Sequence, residues 1–312
     1  DPVPFYTIFT GMMLVQLFYW GTNQQIIQRA LGAKDLKEGQ KGLLLASFIK
    51  ILGPIIVVLP GIIAFHLFQG NLESADSAYP MLVKEVLPTA WVGFFAAVLF
   101  GAILSSFNSV LNSSVTLFGI DVYKQHINKE ADEKTIVKYG KIFGVVLAIA
   151  AMFIAPLIAN AGSLFDYLQE INGIYSIPIL TIIVVGYLTK RVPAIAAKIG
   201  LASGCLLYIA SQFFMQPYFV SNALKLAKDN GITDEAALAL IEAQAYPHFL
   251  DIMALLFILN VGIMLLIGKL YPRKEEFVQE HTKQVDITPW KYTTQAGIAI
   301  CVIVIGIYIY FA

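Results

Sequence analysis

Charged side chains are scarce in this chain. Asp, Glu, Lys and Arg make up 13% of its 312 residues, against about 25% in an ordinary soluble domain. So few charges cannot dress a water-facing surface, and no stretch reads as a soluble domain. Neither sign is in excess, because 21 basic residues balance 21 acidic ones. Net charge therefore gives no pointer to nucleic acid, and no such partner is expected. Cysteine is almost missing: Cys205 and Cys301 both fall inside apolar runs, which argues against a disulfide or a cysteine metal pair. Low-complexity segments are absent as well.

What the chain has instead is apolar length. Eight runs approach the ~20 residues that cross a bilayer: 4–29, 42–68, 90–123, 135–159, 163–189, 193–218, 249–270 and 293–311. The expected class is an all-α, multi-pass membrane protein with the lipid bilayer as its solvent. Charge placement tests the count. With the amino terminus outside and eight crossings, 17 of the 21 Lys and Arg fall in inner connections. Only Lys84, Lys225 and Lys228 fall outside, and Lys50 alone lies within a span. This is the positive-inside asymmetry, and it puts both ends of the chain on the outer side of the cell's inner (plasma) membrane. One outer connection, near 219–246, is long enough for helices of its own. Asp229-Asn230-Gly231 should break it, and Asp234 is placed to cap the second piece.

Within this apolar background the segment from Gly101 to Lys124 stands out. Ala102, Ser105, Ser106, Ser109 and Ser113 recur at steps of three and four, which puts them on one side of a helix. A second polar cluster follows at Asn112, Ser113 and Ser114. Two readings are open. Small hydroxyls permit close helix packing and bond back to their own helix. Alternatively, hydroxyls and a free carbonyl are the oxygen ligands that a hard cation prefers.

Three further spans carry polar residues. Gln16 lies deep in the first, followed by Tyr19, Trp20 and the run Thr22 to Gln25. The aromatics alone would suit an interfacial belt, whereas an amide in hydrocarbon needs partners. Lys50 sits about two turns into the second span, where an ammonium at mid-helix costs roughly 2.5–3.5 kcal/mol on insertion scales. It either snorkels to the inner interface or faces a polar cavity. Pro54 and Pro60 should bend that span. The fifth holds Asp166, Gln169, Glu170 and Asn172, with Gly173 and Pro178 beyond, and an interrupted helix lining a cavity is expected there. An outer helix cap is the alternative for Asp166 and Glu170. No catalytic constellation is visible, so a carrier rather than an enzyme is expected.

The stretches at 18–42 (FYWGTNQQIIQRALGAKDLKEGQKG), 49–61 (IKILGPIIVVLPG), 102–114 (AILSSFNSVLNSS), 119–124 (GIDVYK) and 167–178 (YLQEINGIYSIP) together resemble the carboxyl-terminal part of the sodium:solute symporter family. The similarity is strongest to its bacterial sodium/sugar (glucose/galactose) cotransporter branch, and it weakens after Pro178. The resemblance implies a LeuT-type inverted-repeat fold. Residues 1–190 would form the second five-helix repeat, and 191–312 three accessory transmembrane helices. The first repeat, the N-terminal half of the transporter, is then missing, and the chain is expected to be a fragment.

The resemblance also implies roles. Sodium would be held by the Ala102 carbonyl and the Ser105 and Ser106 hydroxyls, with the other ligands in the missing half. Asn108 and Ser109 match a second sodium position of two-sodium relatives. Gln16, Lys50 and Gln169 would contact the sugar, and Tyr19 would stack on it as a gate backed by Trp20. Stacking suits a pyranose, whose C–H face is apolar and whose rim is hydroxylated. Gln16 departs from the Asn usual in bacterial sugar carriers, which puts the particular sugar in question. Another solute (inositol, proline, sialic acid or another anion) and a non-transporting membrane sensor are the alternatives.

Overall fold

The structure is a computed structural model, and it describes residues 4–68, 72, 77–158, 164–278 and 285–311, with the side chains of 164–166 and 311 excepted. Every regular element among them is helical. After a 3-10 turn at Phe5–Phe9 come α1 (Gly11–Gly21), α2 (Gln24–Leu31), α3 (Leu36–Lys50), α4 (Gly53–Leu67), α5 (Ala78–Val86) and α6 (Thr89–Leu117). A π-helical segment (Phe118–Ile127) ends α6, and α7 (Glu133–Ile158) and α8 (Leu164–Leu188) follow. Next are α9 (Ala194–Ile209), a second π segment (Ala210–Met215), α10 (Gln216–Asp229), α11 (Glu235–Gln244), α12 (Phe249–Leu270) and α13 (Thr293–Phe311).

Seven helical stretches among the described residues are long and apolar enough to cross a membrane: Leu36–Leu67, Thr89–Ile127, Glu133–Ile158, Tyr167–Leu188, Ala194–Asp229, Glu235–Leu270 and Thr293–Tyr310. The eighth expected run, 4–29, is divided among the 3-10 turn, α1 and α2, and no single piece reaches spanning length. A multi-pass membrane protein is the outcome.

The chain divides into two compact units. Unit 1 comprises Asp1–Ile26 and Phe165–His281, and unit 2 comprises Ile27–Leu164 and Thr282–Ala312. In unit 1 the main packing is α12 against α9, with α1 also on α12. Small residues permit it: a Cβ on Gly204 would lie 2.2 Å from the Asn260 amide nitrogen and 2.7 Å from Pro178 Cγ. The core gathers Val15, Ile177, Tyr208, Leu250, Ile252, Met253 and Leu256. α8 runs through Gly173 and Pro178 without the expected interruption. The proline costs α8 one backbone bond, and its ring packs at Gly204 on the neighbouring helix, which keeps the segment in place.

The connection near 219–246 also differs from expectation at its start. α9 continues through the π segment into α10, so one helical run extends to Asp229. The break then falls where the turn residues put it, with Gly231 at φ 81° and the Asp234 carboxylate accepting the Ala237 amide to cap α11.

Unit 2 is built on α6 and α7. Phe118 stacks on Phe143 with centroids 4.1 Å apart, and Tyr123 stacks on Tyr139 at 4.5 Å. α3 takes its cap from Asp35 and is tied to the entry of α13. Gln40 Oε1 accepts from the Trp290 amide at 2.7 Å and the Thr293 hydroxyl at 2.9 Å. α3 and α4 are separate helices meeting at Ile51–Leu52, just ahead of Pro54, where a proline excludes continuous helical bonding. In the loop before α7, Asp132 lies below the usual carboxylate range because the Thr135 hydroxyl and amide donate to it.

Candidate functional site

The serine face of α6 opens on a cleft of about 730 Å³ inside unit 2. Ser105, Asn108, Ser109 and Asn112 line it from α6, and Gln28 and Arg29 line it from α2. Ala102 and Ser106 are exposed on the adjoining surface and do not line the cleft. The structure thus brings Ser105, Asn108 and Ser109 to one polar concavity and leaves Ala102 and Ser106 at its side.

The hydroxyls of this helix divide into two kinds. Ser114 donates to the Val110 carbonyl at 3.0 Å and Thr116 to the Asn112 carbonyl at 2.8 Å. Those two follow the back-bonding alternative. Ser105 and Ser106 make no such bond among the described residues, so their oxygens remain available to a ligand. Ser109 is 9% exposed. Its hydroxyl accepts from the Arg29 guanidinium, and its backbone carbonyl accepts from Gln28 Nε2 at 3.4 Å.

Gln28, Arg29 and their closure on Ser109 were not legible in the sequence. Charge sorting treats Arg29 as one more basic residue of an inner connection. What places it is α2, a short helix separated from α1 at Thr22–Asn23, where the Thr22 hydroxyl and amide both turn back to the Phe18 carbonyl.

Gln16, Tyr19 and Trp20 lie on α1 in unit 1, off the face that Val15 and Phe18 bury. They form one local cluster. Gln16 Oε1 accepts from the Trp20 indole at 3.1 Å, and Tyr19 meets Trp20 edge-on with centroids 5.2 Å apart. The amide that needed a partner finds it four residues along its own helix. Gln169 is half-buried on α8 of the same unit, and the Phe18 ring of α1 meets Tyr175 of α8 edge-on at 5.8 Å. The Asp166 side chain falls outside the described residues.

Lys50 belongs to unit 2. It is exposed in the last turn of α3, where the negative end of the helix dipole favours a cation.

The sodium:solute symporter family matches residues 2–204, further than the similarity read up to Pro178. A protein named uncharacterized symporter YidK, from Escherichia coli, is 42% identical over 309 residues, covering 99% of this chain and 49% of its own length. The sodium/glucose cotransporter of Vibrio parahaemolyticus is 38% identical over 209 residues, 62% of this chain and 38% of its own. The human sodium/myo-inositol cotransporter 2 is 33% identical over 223 residues, 66% of this chain and 33% of its own. The chain therefore spans about half or less of the length of these relatives. With the family matched over most of its residues and its serine-bearing helix inside that match, the chain belongs to the sodium:solute symporter family.

Proposed function

We propose that the protein carrying this chain is a sodium-coupled symporter that imports a glucose- or galactose-like sugar by alternating access. The observation that carries the reading is the α6 face, where two hydroxyls unused by their own helix stand beside a polar cleft. In this reading the Ala102 carbonyl and the Ser105 and Ser106 hydroxyls hold sodium. Gln16, Lys50 and Gln169 contact the sugar, and Tyr19 backed by Trp20 gates it. A second sodium at Asn108 and Ser109 would share the Ser109 oxygen with the Arg29 guanidinium. Two unit charges about 4 Å apart repel by ~4 kcal/mol at an effective dielectric of 20, so occupation there requires Arg29 to withdraw.

The relatives' greater length supports an N-terminal half beyond this chain, and the remaining parts of the proposal rest on the family resemblance. Residues 1–190 act as the second repeat of a LeuT-type fold, residues 191–312 supply three accessory helices, and an N-terminal half completes both sites. If the divided run 4–29 crosses as α1 and α2 together, the crossings number eight and both ends of this chain lie outside the plasma membrane. Sodium binding favours the outward-open state and forms the sugar pocket, and its loss inside releases the sugar. Coupling arises because each ligand prefers one state over the other. One sodium crossing about 100 mV releases roughly 2.3 kcal/mol. A tenfold sodium gradient adds about 1.4 kcal/mol, enough together for accumulation on the order of several hundred-fold.

The name of the human relative favours a second reading, in which the solute is a polyol such as inositol. Uptake of labelled glucose and galactose into proteoliposomes, with and without an inward sodium gradient, tests the proposal. Unlabelled inositol, proline and sialic acid serve as competitors. Sodium-dependent sugar uptake supports it. Sodium-dependent binding of a competitor alone keeps the ion site and changes the substrate. Neither result, from folded protein, rejects it in favour of a membrane sensor.

Lys50 has its own test. Lys50→Ala is expected to weaken glucose binding about tenfold, roughly 1.4 kcal/mol, while the sodium dependence stays within twofold. Unchanged glucose affinity would assign the ammonium to the end of α3 alone.

A further inference from the structure

Behind Gln169, in unit 1, the structure holds polar groups that the sugar and sodium assignments do not use. Tyr208 of α9 is 1% exposed, and its hydroxyl donates to the Glu170 carbonyl of α8 at 3.0 Å. The ring lies directly on Gly173, where a Cβ would meet Tyr208 Cζ and Oη at 2.4 Å. One turn and more further along the pair, Pro178 of α8 packs at Gly204 of α9. As the residue number rises on α8 it falls on α9, so the two helices run antiparallel with a defined register. One turn beyond Tyr208, that register brings Gln212 to the level of Gln169 and Glu170.

Gln212 is 2% exposed, and neither atom of its amide has a hydrogen-bond partner among the described residues. A buried amide without partners is costly and rare. It also sits in the π segment Ala210–Met215, a local helix form that recurs at functional sites. The next residue back, Ser211, is committed to the Tyr246 hydroxyl at 2.8 Å, so Gln212 is the group with hydrogen-bonding capacity left over at this level.

We propose that Tyr208 and Gln212 of the accessory helix are positioning residues for the substrate-bearing turn of α8. Tyr208 fixes the backbone at Glu170, and Gln212 offers its amide to the same turn, so the accessory helix sets sugar affinity without touching sugar. This rests on the assignment of Gln169 as a sugar contact. Glycine at 173 is what lets the tyrosine ring approach closely enough to reach that carbonyl.

The test uses a full-length transporter carrying this sequence, reconstituted in proteoliposomes, with labelled glucose as the probe. Tyr208→Phe keeps the ring on Gly173 and removes only the hydroxyl. It is expected to raise the glucose KM five- to tenfold while maximal uptake and the sodium concentration for half-activation stay within twofold. Gln212→Met, which removes the amide and keeps the bulk, should raise the KM in the same direction. On a Gln169→Ala background neither substitution should raise the KM further, because both act through that side chain. A reduced melting temperature with an unchanged KM in both variants would make them packing residues and overturn the proposal, as would effects that multiply fully with Gln169→Ala. If Gln169→Ala raises the KM and the other two do not, only this inference falls. If Gln169→Ala is itself silent, or the wild type takes up no glucose, the sugar-site assignment falls and this inference with it.

Discussion

Replacing Ser105 and Ser106 together with alanine is expected to raise the sodium concentration for half-maximal uptake towards a hundredfold. A hard cation is held by the number and field of its oxygen ligands, and each lost hydroxyl at about 1.4 kcal/mol corresponds to roughly tenfold. The expectation is specific to these two positions because of how α6 uses its other hydroxyls. Ser114 and Thr116 satisfy carbonyls one turn back, whereas Ser105 and Ser106 do not. Ser114→Ala is therefore the matched control, and sodium dependence should be unchanged in it. Sodium-dependent uptake measured across sodium concentrations separates the cases. An equal, small shift in both variants would return the whole serine face to helix packing.

The largest structural effect is expected at Gly11. α1 crosses α12 there so closely that a Cβ on Gly11 would stand 2.0 Å from the Leu250 carbonyl oxygen and 2.6 Å from its carbon. Leu250 is fully buried, and the obstacle is backbone rather than the end of a flexible side chain. The added methyl can be accommodated only by parting two helices, which carries Val15 out of the cluster it shares with Leu250 and Met253. Overpacking of this kind costs roughly 1–3 kcal/mol and more where the backbone must move. At about 2–4 °C per kcal/mol for a unit of this size, Gly11→Ala should lower the melting temperature in detergent by about 6–12 °C. Gly262→Ala on α12, where a Cβ meets nothing within 4 Å, should leave it unchanged. Equal melting of the two variants would mean that α1 does not seat on α12 in this way.

Both predictions turn on a difference between what the chain's local pattern encodes and what helix packing adds. Seven of the eight apolar runs carried spanning helices among the described residues, because backbone groups in hydrocarbon must be bonded within their own segment. The break at Asp229-Asn230-Gly231 and the Asp234 cap were legible for a related reason: turn and cap chemistry acts over three or four residues. Where a signal depended on a neighbour, sequence reading stopped short. Gly173 and Pro178 looked like an interruption of α8, yet the helix continues because α9 receives the proline ring at Gly204. Lys50 lies within a spanning stretch, as read, but at the point where that stretch divides into two helices.

The candidate sites divide along the same line. From the sequence alone came the polar inventory: an oxygen-bearing face on α6, amides at Gln16 and Gln169, an ammonium at Lys50, and a resemblance whose family the comparisons bear out. Only the tertiary structure decided which of these oxygens are already engaged. Ser109 faces Arg29 across 80 positions of chain, and the Glu170 carbonyl holds Tyr208 across 38 positions. Periodicity can place a side chain on a face, because that follows from one helix's own geometry. Which group fills the space opposite depends on the register and closeness of two helices, and small residues such as Gly11, Gly173 and Gly204 set both by letting backbones approach.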